Sequence, residues 1–469
     1  MWAPLLAGED PRERDFILYV LEHGVPLSSP GSTLPPFAVA NYRSAAQYAE
    51  LVCLVVDADV ACGRVFPLPP GCGPSQYVHA LGAVPKTEPP VTEVRVVHDH
   101  SRPRGLSVNE QITYVHMEWA SIDDAFAIMT PGCYMAKVDI SEYFRHFLVD
   151  PYDWDKQAFQ WSLPGSSQVQ ELWDAFFQFG LRHGPEVGHR FTCAILRMME
   201  RRGFVRVVGI QDDYLVAGDT EEECALVWHT LIALLEHLNF KVNKKPHKSA
   251  PPAQQQKFVG ILLDSVQMHA RLDPVKLAKA ATLVQSFEGR KKCTQRDLQS
   301  LVGFLNWAAK VVYGGRVFLR RLVTLCNSVA LPGHHLRITA DAGLDLLWWR
   351  EEGLPRFNGA AMVVPPTPLP SCSFQCDACG AGGLGVFFEG GFASFTLAEA
   401  AALFPDAPPA GEHIAVYETY VVLVAVRLFP DVVAGCHLAV RSDTTETVAA
   451  INMFTARRPL VMQYVRELF

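Results

Sequence analysis

The chain has 469 residues, 49% of them hydrophobic, with a formal net charge of −8 and twelve scattered cysteines. That length suits roughly two to four domains, and the hydrophobic share excludes a wholly disordered chain. The net acidity excludes a uniformly basic nucleic-acid binder, and the scattered cysteines speak for a reducing compartment rather than a disulfide framework.

Residues 1–75 mix helical patterns, FILYVLEHG and AAQYAELVCLVV, with turns such as LSSPGSTLPPF. The N-terminus MWAPLLAGEDPRER is too short and too soon acidic for a signal peptide. No run reaches the ~18 apolar residues of a membrane span, and LVCLVVDADVAC (51–62) fits a buried element. The expected location is therefore intracellular, in cytoplasm or nucleus, with no secretion and no membrane contact. YVHALGAVPK and VTEVRVVHDH alternate like two strands joined by the turn TEPP. MAKVDISEYFRHFLV (135–149) is a strand running into a tight turn, and ELWDAFFQFGLRHGP leads to a helix over 186–202. Glu221–Leu238 has helical periodicity, and KFVGILLDS has the composition of a strand. Residues 274–328 are helical, PPTPLPS (365–371) is a linker, and three short strands follow in SFQCDACG, GLGVFFEGG and GFASFTL. YETYVVLVAVRLF is a helix, HLAVRSD a strand and TETVAAINMF a helix.

Two Asp-Asp pairs stand out. Asp123-Asp124 follows Ser121 at an expected helix start, where acids are favoured by the helix dipole. Asp212-Asp213 instead interrupts VRVVGIQDDYLVAGD, whose flanks Val205, Val207, Val208 and Tyr214, Leu215, Val216 favour strands. The second pair therefore sits at a hairpin tip, either as a solvated turn or as a site where cations offset two adjacent charges. Asp139 is another isolated acid in an apolar strand. Such acids together can hold two metals about 3.5–4 Å apart.

Two further clusters leave alternatives open. Between Arg271 and Arg321 lie Lys276, Lys279, Arg290, Lys291, Lys292, Arg296, Lys310, Arg316 and Arg320, against the acids Asp273, Glu288 and Asp297. This is either a solvated helical face or a surface that tracks phosphates. Cys372, Cys376 and Cys379 have loosely metal-like spacing, but no partner pair follows at zinc-site spacing.

In order along the chain come GAVPK, VRVVHDHSRPRGLSVN, KVDISEYFRHFLV, AFQW, FFQFGLRHGP, QDDYLVAG, LNFKVNKKPHKS, FVGILLD and the run from LDPVKL to GGRVFLRRL. With these markers the sequence resembles the reverse transcriptase–RNase H region of retrotransposons, most closely the DIRS-like, tyrosine-recombinase-associated group. The resemblance implies an α+β right-hand polymerase with fingers, palm and thumb, followed by a C-terminally truncated RNase H-like α/β domain. It divides the chain into an N-terminal extension (1–75), fingers and palm (76–264), a basic helical thumb-like region (265–335), a linker or connection (336–370) and the RNase H-like part (371–469). The implied activity is RNA-directed DNA polymerisation from dNTPs with Mg2+ or Mn2+. The implied partners are an RNA template, a DNA primer, an RNA–DNA hybrid and other parts of a retroelement polyprotein.

Position by position, Asp139, Asp212 and Asp213 match the palm's metal-binding acids. Lys86 and Arg95 match finger cations that grip the triphosphate, and Phe144 matches the aromatic gate against a ribose 2′-hydroxyl. Phe179, Gly180, Leu181 and Arg182 match the segment lining the nucleotide pocket. Lys248 matches a lysine near the pyrophosphate, and Phe258, Val259 and Gly260 match the primer grip. Asp377, Glu418 and Asp443 match three acids of the RNase H site.

The sequence departs from the family at three places. Ile210-Gln211 stands before Asp212-Asp213 where the family has a tyrosine two residues ahead of the pair, and Gly188 replaces an aromatic. A fourth RNase H acid is missing after Asp443, so little hybrid cleavage and a partly exposed core are expected of this domain. Glu446 instead begins a helix as a dipole partner. The competing implications are a decayed or co-opted remnant that only binds nucleic acid, and a metal-dependent nuclease without polymerase activity.

Overall fold

The computed structural model describes residues 2–27, 34–69, 71–87, 89–113, 115, 117–162, 168–329, 331, 333–358, 371–388 and 391–469. Most of the expected linker (365–370), Glu88 of the TEPP turn and residues 28–33 lie outside these. The chain divides into two compact units. The first comprises residues 1–129 and 133–253, and the second comprises 130–132 and 254–469.

The first unit is built on a four-stranded antiparallel sheet. Its order is Ala250–Ala253, Tyr134–Asp139, Asp213–Gly218 and Val207–Ile210. The strand Asp213–Gly218 lies in mid-sheet, and all of it after Asp213 is buried, which is why DYLVAG is an unbroken apolar run. Two long helices, Gly184–Glu200 and Glu221–His237, pack on this sheet. The second starts where Thr220 accepts the Glu223 N–H and three glutamates fill the first turn, all favourable at a helix N-terminus. Ser121 and Asp124 form a reciprocal cap on a short helix, as the sequence implied for that acidic pair.

A six-stranded sheet carries the hairpin Tyr77–Pro85 and Val94–Asp99, with Ala158–Ser162 parallel to the first of these strands. The N-terminal residues are built into the core of this unit. Trp2 packs edge-on against Phe191 (5.2 Å) and Phe240 (6.1 Å). The buried Glu9 carboxylate takes hydrogen bonds from Arg197 and, at 2.7 Å, from Arg201. The stretch LVCLVVDADVAC departs from expectation. It lies in the helix Ala49–Ala61, which buries Val52 and Val56 but leaves Leu54 66% exposed. Its acids Asp57 and Asp59 are only partly exposed, Asp59 pairing with Arg64 and the buried Arg145, while apolar residues such as Leu54 face outward, so hydrophobicity alone overstated its burial.

The second unit opens with a three-stranded meander, Gln255–Phe258, Ile261–Asp264 and His269–Leu272. KFVGILLDS is thus two strands rather than one. The chain reverses at Val259-Gly260, both with positive φ (43° and 84°), between the paired Phe258 and Ile261. The turn pattern with two left-handed residues needs only one glycine, so an apolar run concealed it. The helices Pro274–Gln285, Gln295–Ala308, Arg320–Cys326 and Ala340–Trp348 follow. Seven of the eleven basic residues between 271 and 321 are exposed: Lys279, Arg290, Lys291, Lys292, Arg296, Lys310 and Arg316.

After residue 370 a four-stranded sheet forms in the order Gly391–Thr396, Gly383–Phe388, Ser371–Ala378 and His437–Arg441, with the last pair parallel. The apolar helix Ile414–Leu428 covers one face. A further helix that sequence reading passed over, Pro459–Leu468, buries Val461, Met462, Tyr464 and Val465 against it. The expectation of an exposed core is therefore corrected on this side. Apolar exposure remains on the strands, at Phe392 (83%) and Phe387 (42%). No described helix is long and apolar enough to cross a membrane.

Candidate active site

Strand register sets the backbone positions of the first three acids side by side. Asp139 ends its strand directly opposite Asp213, and Asp212 occupies the two-residue turn with Gln211. The Ile140 N–H donates to the Asp212 carbonyl oxygen (2.9 Å), which fixes the turn against the neighbouring strand. Gln211 carries a φ of 58°, a conformation that costs energy in a residue with a side chain. It is held by two bonds from the helix that begins at Gly184. Thr192 Oγ1 donates to its carbonyl (2.9 Å), and its own Nε2 donates to the Pro185 carbonyl (2.8 Å).

Electrostatics here favour a cation. Burial, then the neighbouring Asp212 and Asp139, push the Asp213 carboxyl up to about 6. Burial and Asp139 also raise Asp212. Asp139 is buried and fully engaged. Asn243 Nδ2 donates to its Oδ1 (2.8 Å) and Lys248 Nζ to its Oδ2 (2.9 Å). The donor set consists of hard carboxylate oxygens with a side-chain ammonium already resting on one of them, and this fits Mg2+ or Mn2+. Asp139, Asp212 and Asp213 would be the ligands.

A second centre lies in the other unit. Asp377, Glu418 and Asp443 each offer a carboxylate oxygen, all within 4.8 Å of one another, and they are the one such group among the described residues. Gln375 pairs with Arg441 across parallel strands, so Asp377 and Asp443, two residues further on, come side by side. Glu418 projects from the helix Ile414–Leu428 and accepts the Ala378 N–H (2.8 Å) and the Ser442 hydroxyl (3.1 Å). Burial raises its pKa despite those two bonds. Glu446 does not join the group: it sits in the first turn of its helix and pairs with Arg458 at 3.0 Å. Nor do Cys372, Cys376 and Cys379 form a metal group.

No protein-family model matches the sequence, and no curated protein matches it. Among solved structures the chain is similar to the foamy viral protease–reverse transcriptase. In that protein's complex with RNA/DNA hybrid the TM-score is 0.58 at 14% identity, over 98% of this chain and 60% of that one. In its complex with dsDNA the values are 0.57 and 16%, over 98% and 92%. For its dRH form with ds DNA they are 0.56 and 14%, over 98% and 77%. The fold is that of a reverse transcriptase.

The strand Val94–Asp99 of the hairpin brings Arg95 over the Phe179 ring (5.0 Å), and Phe179 meets Phe144 edge-on at 5.5 Å. Of these three, Phe144 lies against the helix that begins at Gly184, its ring 3.5 Å from where a Cβ would stand at Gly184. Lys86 is exposed just past the strand end, its N–H donating to the Glu93 carbonyl (2.9 Å). Gly180 must lack a side chain, because a Cβ there would lie 2.0 Å from the His98 carbonyl oxygen. The exposed Arg182 is anchored through its N–H to Asn109 Oδ1 (2.8 Å). Phe258 is buried, and Gly260 faces Trp307 within the second unit.

Sequence reasoning missed Asn109, whose Nδ2 also binds the Gly180 carbonyl (2.8 Å), and Asn243, which steers Asp139. Isolated asparagines carry no pattern by which to single them out. It also left Gly188 unexplained. A Cβ at 188 would sit 2.7 Å from Gln211 Oε1 and 2.8 Å from Tyr143 Cε1, so the missing aromatic and the altered hairpin tip are one accommodation.

Proposed function

We propose that the chain is an RNA-directed DNA polymerase of a retroelement, extending a primer 3′-hydroxyl on an RNA template with dNTPs. The observation that carries this is the register placing Asp139 opposite Asp213 with Asp212 in the adjoining turn. Two divalent ions held there would supply charge stabilisation for nucleotidyl transfer. The chain's own residues would supply positioning. Arg95 and Lys86 would meet the triphosphate, Phe144 would crowd a 2′-hydroxyl, and the hairpin at Val259-Gly260 would hold the primer end. The exposed lysines and arginines between 271 and 321 would follow the duplex phosphates without reading sequence.

Support for nucleic-acid partners comes from the similarity to a viral protein captured with dsDNA and with RNA/DNA hybrid. The DIRS-like lineage rests on the sequence markers, while the structural neighbours are retroviral. For the second centre we propose a divalent-cation site of the RNase H type held by Asp377, Glu418 and Asp443.

Primer extension on an RNA template with Mg2+ tests the reading. Asn at Asp139, Asp212 or Asp213 should cut extension by orders of magnitude. Extension unaffected in all three variants would refute the palm assignment. A parent chain that binds primer–template but never extends it would favour the remnant instead.

A further inference from the structure

Lys248 does more in this chain than wait near a pyrophosphate. Its ammonium lies 2.9 Å from Asp139 Oδ2, while Asn243 Nδ2 takes Oδ1 at 2.8 Å. The segment that presents these groups is itself tied to Asp139. The Asn243 N–H donates to the Asp139 carbonyl (2.8 Å), and the Asp139 N–H donates to Ser249 Oγ (3.1 Å). The backbone is thus anchored on both sides of Lys248, and the Lys248 side chain is 45% exposed. The ammonium has a route to solvent that requires no movement of that backbone.

The remaining acids make its position functional. Beside its bond to Asp139, the Lys248 ammonium is favoured by the charges of Asp213 and Asp212, so one cation offsets three carboxylates. A group of carboxylates this buried is costly without a counter-charge. Among the described residues, the three palm acids do not converge as a ligand group, whereas the second centre, which has no lysine in it, does.

Resting on the proposed polymerase site, we propose that Lys248 is a built-in counter-ion of the metal-free palm, which a divalent cation must displace from Asp139 in order to bind. Metal and ammonium compete for one carboxylate oxygen. Binding therefore releases a cation on a long side chain at the moment the site becomes competent. Asn243 stays on the other oxygen and keeps the carboxylate aimed.

The test is Mn2+ binding to the full chain without nucleic acid or dNTP, in an Asp377→Asn background so that the second centre is silenced. Lys248→Met and Lys248→Gln should each bind Mn2+ about tenfold more tightly than the Lys248 parent, because the competing charge is gone. Lys248→Arg, which keeps the charge, should bind like the parent. In chelator the Met and Gln variants should melt earlier than the parent, and saturating Mn2+ should remove most of that difference. Equal or weaker Mn2+ binding by both neutral variants would overturn the counter-ion role while leaving the metal site standing. A parent whose Mn2+ binding is absent, or is unchanged by Asp139→Asn, would overturn the metal site itself and the counter-ion role with it.

Discussion

Replacing Asp213 with Asn should make the metal-free protein more stable while it abolishes extension. Asp213 sits beside Asp212 and opposite Asp139, and burial together with these neighbours lifts its carboxyl to about 6 from the ordinary 3.8. Each tenfold change in proton affinity is worth about 1.4 kcal/mol, so the full displacement amounts to about 3 kcal/mol at neutral pH. Asp213 is only partly buried, and screening reduces this to about 1–2 kcal/mol. The direction with pH follows from which state ionises first. Below about pH 4 both folded and unfolded chains carry the neutral acid, and the penalty is absent. Between about pH 4 and 6 the unfolded chain ionises while the folded site resists, so the parent loses stability as pH rises. Above about pH 6 the loss is complete. The variant carries no such penalty, so its advantage should grow from near zero at about pH 4 to a plateau above about pH 6.5. Urea unfolding in chelator, with hydrogen exchange used to assign the transition of residues 1–253, measures it. Added Mg2+ should shrink the advantage by stabilising the parent alone. A variant no more stable than the parent at about pH 7.5, or an advantage independent of pH, would refute this electrostatic account.

Phe144→Ala should raise ribonucleotide incorporation by about 10- to 100-fold while dNTP use stays near parental, because the ring facing Phe179 would no longer fill the 2′-hydroxyl space. Unchanged sugar selectivity in single-nucleotide extension would return Phe144 to a packing role. Gly188→Ala should destabilise by about 1–3 kcal/mol, since the new methyl meets Gln211 at 2.7 Å and Tyr143 at 2.8 Å. A double-mutant cycle with Gln211→Ala should recover part of that loss, and strict additivity would disprove the coupling. Val259→Asn should stabilise by about 1 kcal/mol, because it relieves a β-branched residue at φ 43° and creates an Asn-Gly turn. No gain in urea unfolding would show that the turn is unstrained.

Much of the fold was legible locally. The helix start at Ser121, the helical period from Glu221 to Leu238, the β-branched and aromatic flanks of Asp212-Asp213, and the strand–strand–strand–helix run after residue 370 each write their element into a short window. The reversal at Val259-Gly260 was not legible, because an apolar strand and an apolar hairpin differ there by the φ of two residues. The helix Pro459–Leu468 was also passed over.

The acids themselves were visible because a carboxylate in an apolar strand is rare enough to need a reason. What the sequence could not decide was their environment. Only the antiparallel register makes Asp139 face Asp213, and only the loop after the helix Glu221–His237 brings Asn243 and Lys248 onto Asp139 from more than a hundred residues away. The same holds for Gly188 and Gln211, two unrelated departures in the sequence that become one contact in space. Element types follow from local patterns of period two or 3.6. Charge, pKa and steric fit depend on distances between side chains far apart in the chain, and only tertiary packing sets those distances.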